Sequence, residues 1–83
     1  MDYERLIHSL IDDIVDDPKS VLIRVSEGNT PKDILIIIAS EKNDTARLIG
    51  HKGIIANSLR EVVSVAGKSE NKRIHLKFES FDD

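Results

Sequence analysis

The sequence predicts an α+β fold with the element order α-β-β-α-α-β, a three-stranded mixed sheet with three helices packed on one face. Three stretches carry that expectation. Ile34-Leu35-Ile36-Ile37-Ile38-Ala39 is apolar at every position, as expected of a strand in the middle of a sheet. Arg73-Ile74-His75-Leu76-Lys77-Phe78-Glu79 alternates strictly, with Ile74, Leu76 and Phe78 on one side. Between them, Ile49-Gly50-His51-Lys52-Gly53 places two glycines three apart at the junction of two helix-like segments.

The elements follow in order. Asp2 is placed to cap a first helix, with Glu4 in its first turn. Leu6, Ile7, Leu10, Ile11, Ile14 and Val15 recur at helical spacing, and Asp16-Asp17-Pro18 ends the run because Pro18 disfavours helix at the residue before it. In that helix Asp12 and Asp16, and Asp13 and Asp17, form like-charge pairs four apart, a solvated face rather than a converging cation loop. Val21 to Val25 alternates as a half-buried strand, and Glu27 to Lys32 supplies turn residues for a long hairpin loop.

The all-Ile strand comes next. Asn43 is then expected to cap a short helix that Asp44 begins and Gly50 ends. Gly53 opens another helix, with Ile55, Leu59, Val62 and Ala66 in one apolar row, Ala56 and Val63 in a second, and Gly67 at the C-terminal cap. A polar loop, Lys68 to Lys72, leads into the last strand, and Ser80 to Asp83 reads as a frayed end. Two helices between the second and third strands form a crossover long enough for parallel pairing.

Composition narrows the function. Eighty-three residues make one small domain without cysteine, so a disulfide framework or a Cys-based zinc site is excluded. Neither a signal segment nor a membrane-length apolar run is present, which leads us to expect a soluble, cytoplasmic protein that does not act at a membrane. The net charge of −3 is unusual for a nucleic-acid binder but is unevenly distributed. Residues 1–41 hold 4 basic against 9 acidic side chains, residues 42–73 hold 7 against 3, and residues 74–83 hold 1 against 3. The positive third contains the glycine loop.

That element order, together with Arg47-Leu48-Ile49-Gly50-His51-Lys52-Gly53 and then Ile55, Leu59, Arg60 and Val63, resembles a type II KH domain. Because one domain, residues 2–80, fills nearly the whole chain and leaves only a short acidic tail at 81–83, it is similar to the small bacterial single-KH proteins of the KhpA (YlqC) family. The resemblance implies a loop that clamps about four nucleotides of single-stranded RNA, or possibly single-stranded DNA, with no cofactor. By that resemblance Gly50 and Gly53 admit the backbone, His51 and Lys52 contact phosphate, and Arg47 and Arg60 reach neighbouring phosphates. Ile49, Ile54, Ile55 and Ala56 supply an apolar groove floor.

Val62 and Val65 widen the apolar arc of the second flanking helix beyond what one sheet contact requires, and the resemblance implies a self-association surface there, at or near Val62. The partner is a second copy or a larger KH-containing protein of the Jag/KhpB type. Post-transcriptional regulation linked to cell shape and division, and RNA-chaperone activity, are implied in the same way. Relatives commonly carry a basic residue where this chain has Ile54, which predicts weak binding with a shallow salt dependence.

Other readings of the same residues stand beside these. The two glycines also suit a plain helix–helix corner, and Arg47, Lys52 and Arg60 also suit solvated surface. His8 and His75 read as surface histidines. No Cys nucleophile, H-E-x-x-H, Walker loop or metal-ligand spacing is present, so catalysis and a metal site are not expected. The competing function is a protein-interaction module whose groove has lost nucleic-acid affinity and which works mainly by dimerisation.

Overall fold

A computed structural model describes residues 1–81; residues 82 and 83, most of the expected acidic tail, lie outside the described residues. The chain runs α1 (Tyr3–Ile11), a 3-10 turn (Pro18–Ser20), β1 (Leu22–Glu27), β2 (Asp33–Ser40), α2 (Lys42–Ile49), a second 3-10 turn (His51–Gly53), α3 (Ile54–Lys68) and β3 (Arg73–Ser80). The sheet order is β1-β2-β3, with β1 antiparallel and β3 parallel to the central strand. The α-β-β-α-α-β order and the mixed sheet are those the sequence predicts.

The sheet has one covered and one open face. Ile36 and Ile38 on β2 and Leu76 on β3 point to the helices and are buried with Ile7, Ile11, Leu48, Leu59 and Val63. Each such side chain contributes about 1.5–3 kcal/mol by leaving water. The alternate residues Arg24, His75 and Lys77 stand exposed on the other face. Among the described residues, no helix is long and apolar enough to cross a membrane.

Several boundaries differ from expectation, each for a local reason. Asp2 does cap α1, its Oδ1 accepting from the Arg5 amide at 3.0 Å, but the regular helix stops at Ile11 rather than Val15. The backbone is drawn away there because the Asp44 carboxylate accepts the amides of Asp16 and Asp17 at 2.9 and 3.1 Å. The paired aspartates therefore lie beyond the helix and not along it. Val15 and Val21 remain buried as parts of the following turns.

The start of α2 also moves. Glu41, not Asn43, is the N-cap and offers no side-chain bond. Thr45 takes over the anchoring, its hydroxyl within bonding distance of the Ser40 hydroxyl at 2.6 Å and of the Ser40, Glu41 and Glu79 carbonyls. Ser80 is not frayed either: it pairs with Ser40, and the Phe81 amide donates to the Ser40 carbonyl at 2.9 Å.

Gly67 is no helix terminator, since α3 continues to Lys68. A Cβ there would stand 2.5 Å from Ile74 Cγ1 and 3.0 Å from the Lys72 carbonyl oxygen, so glycine lets helix and strand meet. The left-handed residue after the helix is Asn71, with φ 59°. The core row of α3 is Ala56, Leu59, Val63 and Gly67, which leaves Val62 46 % exposed, out of the row assigned to it.

Candidate nucleic-acid interface

The turn between α2 and α3 is built by backbone geometry that few residues adopt. Gly50 has φ 76° and ψ 174°, a region essentially confined to glycine. A Cβ there would fall 2.4 Å from Ile55 Cγ1, so the corner is closed tightly on the first turn of α3. Gly53 has φ 78° and ψ 15°, and a Cβ would meet only Asn57 Nδ2 at 3.9 Å. The two glycines thus do different work. Gly50 lets the corner close, whereas Gly53 keeps the approach to α3 open.

Between them, His51 and Lys52 are exposed, and neither takes part in an ion pair among the described residues. Lys52 itself is left-handed, with φ 58°. Such a backbone costs an L-residue about 1–2 kcal/mol, and it turns the lysine out at the tip of the corner. The Gly53 amide closes the turn on the Gly50 carbonyl at 3.1 Å. No side chain caps the N-terminus of the 15-residue α3, so its positive dipole end faces outward at the same place.

The remaining residues expected here fall into three groups. Ile49 and Ile54 are exposed beside the loop, at 39 % and 63 %, and offer apolar surface to a base. Ile55 is half-buried against Gly50 and the core, while Ala56 is fully buried beneath. Ala56 therefore supports the corner and is not itself available as groove floor.

The two arginines point elsewhere. Arg47 donates to Asp44 at 2.8 Å and pairs with Asp16 at 3.1 Å, so its charge is matched by two carboxylates 3 and 31 positions away in sequence. Asp44 is held below the ordinary carboxylate range, first by the Asp16 amide, then by the Asp17 amide and Arg47. Arg60 donates to the Leu76 carbonyl and to Asn57 Oδ1, each at 3.2 Å, and lies 5.5 Å over the Phe78 ring. It bridges α3 to the edge strand β3 and places Asn57, which sequence reasoning did not assign to the site, between itself and Gly53.

Loop, helix end and edge strand thus form one surface around a two-glycine corner. A family model described as the KH domain of KhpA/KhpB matches residues 4–78. The chain belongs to the KhpA/KhpB KH-domain family. It is not a family of enzymes. Among relatives, the RNA-binding protein KhpA of Bacillus subtilis is 34% identical over 79 residues, covering 95% of this chain and 93% of the relative. KhpA of Listeria monocytogenes serovar 1/2a is 34% identical over 74 residues, 89% of this chain and 95% of the relative. KhpA of Borreliella burgdorferi is 26% identical over 72 residues. No solved structure matches the chain significantly. The family match therefore spans the same elements that build the corner.

Proposed function

We propose that this protein binds single-stranded RNA in the cytoplasm, clamping about four nucleotides at the Gly50–Gly53 corner. One observation carries the proposal: the uncapped N-terminus of α3 and the outward-turned Lys52 meet at a corner kept bare by glycine. A phosphate approaching Gly53 finds Asn57 Nδ2, a donor, as the nearest side-chain atom and enters the positive end of the helix. Lys52 adds a point charge, and His51 adds a hydrogen-bond donor. Ile54 and Ile49 give adjoining bases an apolar surface. The relatives' name, RNA-binding protein, supports the same reading. A role in post-transcriptional regulation or RNA chaperoning is part of the proposal and rests on the family resemblance.

Fluorescence anisotropy with short single-stranded RNA at two salt concentrations tests the proposal. The His51→Asp/Lys52→Asp protein reverses the field at the corner, and its affinity is expected to fall at least tenfold. Equal binding by the two proteins rejects the clamp.

A second reading rests on α3. Ile54, Val62 and Val65 are exposed along one side of it, at 63 %, 46 % and 69 %. That side suits a homodimer, or pairing with a KhpB-type protein, and a chain acting chiefly by pairing needs no RNA at the corner.

A further inference from the structure

The basic third of the sequence does not gather at the glycine loop. Arg47 is matched by Asp16 and Asp44, which leaves the loop with Lys52 and His51. The densest group of cations lies at the other end of α3, where Lys32, Lys68, Lys72 and Arg73 surround a common hollow with Asn71.

Backbone bonding fixes that group. The Arg73 amide donates to the Lys32 carbonyl at 2.8 Å, and Lys72 Nζ donates to the Pro31 carbonyl at 2.8 Å, so the β1–β2 loop is tied to the end of the helix. The neighbouring carboxylates are already engaged. Glu70 takes the N-terminal amine at 2.9 Å and the Tyr3 hydroxyl at 2.7 Å. Asp33 is buried under Arg73, His75 and Thr30. With Arg73 matched by Asp33 and Glu70 by the N-terminal amine, three lysines, Lys32, Lys68 and Lys72, remain at this end against Lys52 alone at the loop.

A continuous surface joins the two ends. Asn57 lies beside Gly53 and bonds Arg60; Arg60, Ser64 and Lys68 line the next hollow along α3, and Lys68 also lines the basic one. These positions share one side of the helix at about 100° per residue, adjoining β3; Val65 borders the same hollow, and Val62 lies farther round. The distance from Ile54 to Lys68 is about 20 Å at the rise of an α-helix.

We propose that Lys32, Lys68 and Lys72 form a second phosphate-contacting site, so that a bound single strand continues from the glycine corner along Arg60 and Ser64 to the far end of α3. The site rests on the clamp reading and lengthens its footprint beyond about four nucleotides. It also supplies the charge that Ile54 withholds from the loop. Glu61, which lines the same hollow as Arg60, is the carboxylate such a strand passes.

Anisotropy with RNA of about four and about eight nucleotides separates the two sites. Lys32 and Lys68 are exposed, and no side-chain bond of either is seen among the described residues, so Lys32→Gln/Lys68→Gln retains the fold, checked by circular dichroism. Wild type is expected to bind the longer RNA about tenfold more tightly than the shorter. In the double variant that gain disappears, the shorter RNA binds as before, and the salt slope for the longer RNA falls by about 1.4, two contacts at about 0.7 each. Unchanged affinity and slope for the longer RNA overturn the second site and leave the clamp standing. Binding of the shorter RNA by His51→Asp/Lys52→Asp as tightly as by wild type removes the clamp, and the extended site with it.

Discussion

Gly50 and Ile55 touch across the α2–α3 corner: a Cβ on the glycine would stand 2.4 Å from Ile55 Cγ1 and 3.0 Å from the Ile55 amide nitrogen. Gly53, three residues on, meets nothing closer than Asn57 Nδ2 at 3.9 Å. The two glycines of the motif are thus unequal. Gly50→Ala combines a backbone region costing about 1–3 kcal/mol with an overlap costing about 1–3 more. Its unfolding free energy is expected to fall by about 2–6 kcal/mol in a urea titration. Gly53→Asn keeps a left-handed backbone that asparagine tolerates, and its loss is expected to stay near 1 kcal/mol. Equal losses would show that the Ile55 contact is not what requires glycine at position 50.

Lys52 offers a way to separate folding from binding. Its φ of 58° is unfavourable for lysine and natural for glycine. Lys52→Gly is therefore expected to leave stability unchanged or raise it by up to about 1 kcal/mol, since relief of strain exceeds the added chain entropy. The same change removes the loop's lysine charge and is expected to weaken RNA binding several-fold. Thermal denaturation and anisotropy on one preparation check both. A fall in stability that matches the fall in affinity would mean Lys52 is structural.

Two exposed valines test self-association. A carboxylate at Val62 and Val65 opposes burial of that side of α3 without touching the core row. Val62→Asp/Val65→Asp is expected to sediment as a monomer where wild type sediments as a dimer. Wild type that remains monomeric at the highest soluble concentration rejects the homodimer.

Much of this fold could be read in the chain because its strongest signals are local. The Ile34–Ala39 run named the central strand, the alternation in 73–79 named β3, and the glycine spacing placed the corner between two helices. What could not be read depends on contacts between distant residues. Nothing near Asp44 announces that its carboxylate will cap the amides of Asp16 and Asp17, and that contact draws the chain out of α1. The same separation hides Asp16 on Arg47, whereas Asp44 stands three residues before it on the same helix; the resemblance sends that arginine to phosphate. Gly67 carried the right residue for a helix end but serves the approach of β3. The positive stretch 42–73 was visible as charge, yet its concentration at the far end of α3 needed Lys32 from another loop.

Gly67 sets helix propensity against packing. Replacing a helical glycine by alanine gains up to about 1 kcal/mol, and less in the last turn where Gly67 sits. Here the added methyl would stand 2.5 Å from Ile74 Cγ1 and 3.0 Å from a backbone oxygen, and overpacking of that kind costs about 1–3 kcal/mol. Gly67→Ala is expected to destabilise, with a lower urea midpoint. A higher midpoint would show that Ile74 moves aside freely.

The acid limb of stability follows from three carboxylates. Asp33 is held below its usual range by Arg73, then His75 and Thr30; Asp44 by the Asp16 amide foremost; and Glu70 by the N-terminal amine and then Tyr3. Each binds a proton less readily folded than unfolded, so stability is complete above the unfolded carboxylate range of about 3.9–4.3. It is lost as pH falls through that range toward the lower folded values. The opposite limb comes from Tyr3, whose phenol is pushed up to about 12, chiefly by burial and then by Glu70. The folded protein keeps that proton when the unfolded chain has released it, so stability falls as pH rises from about 10 toward 12. Urea midpoints measured from pH 7 down to 3 are expected to fall steeply below about 4, and Asp44→Asn is expected to make that fall shallower. Midpoints that stay level to pH 3 would mean the three carboxylates add nothing to the folded state. Tyr3→Phe, which has no proton to lose, should flatten the alkaline limb while reducing Glu70's part of the acid limb, since Glu70 loses the hydroxyl it accepts from.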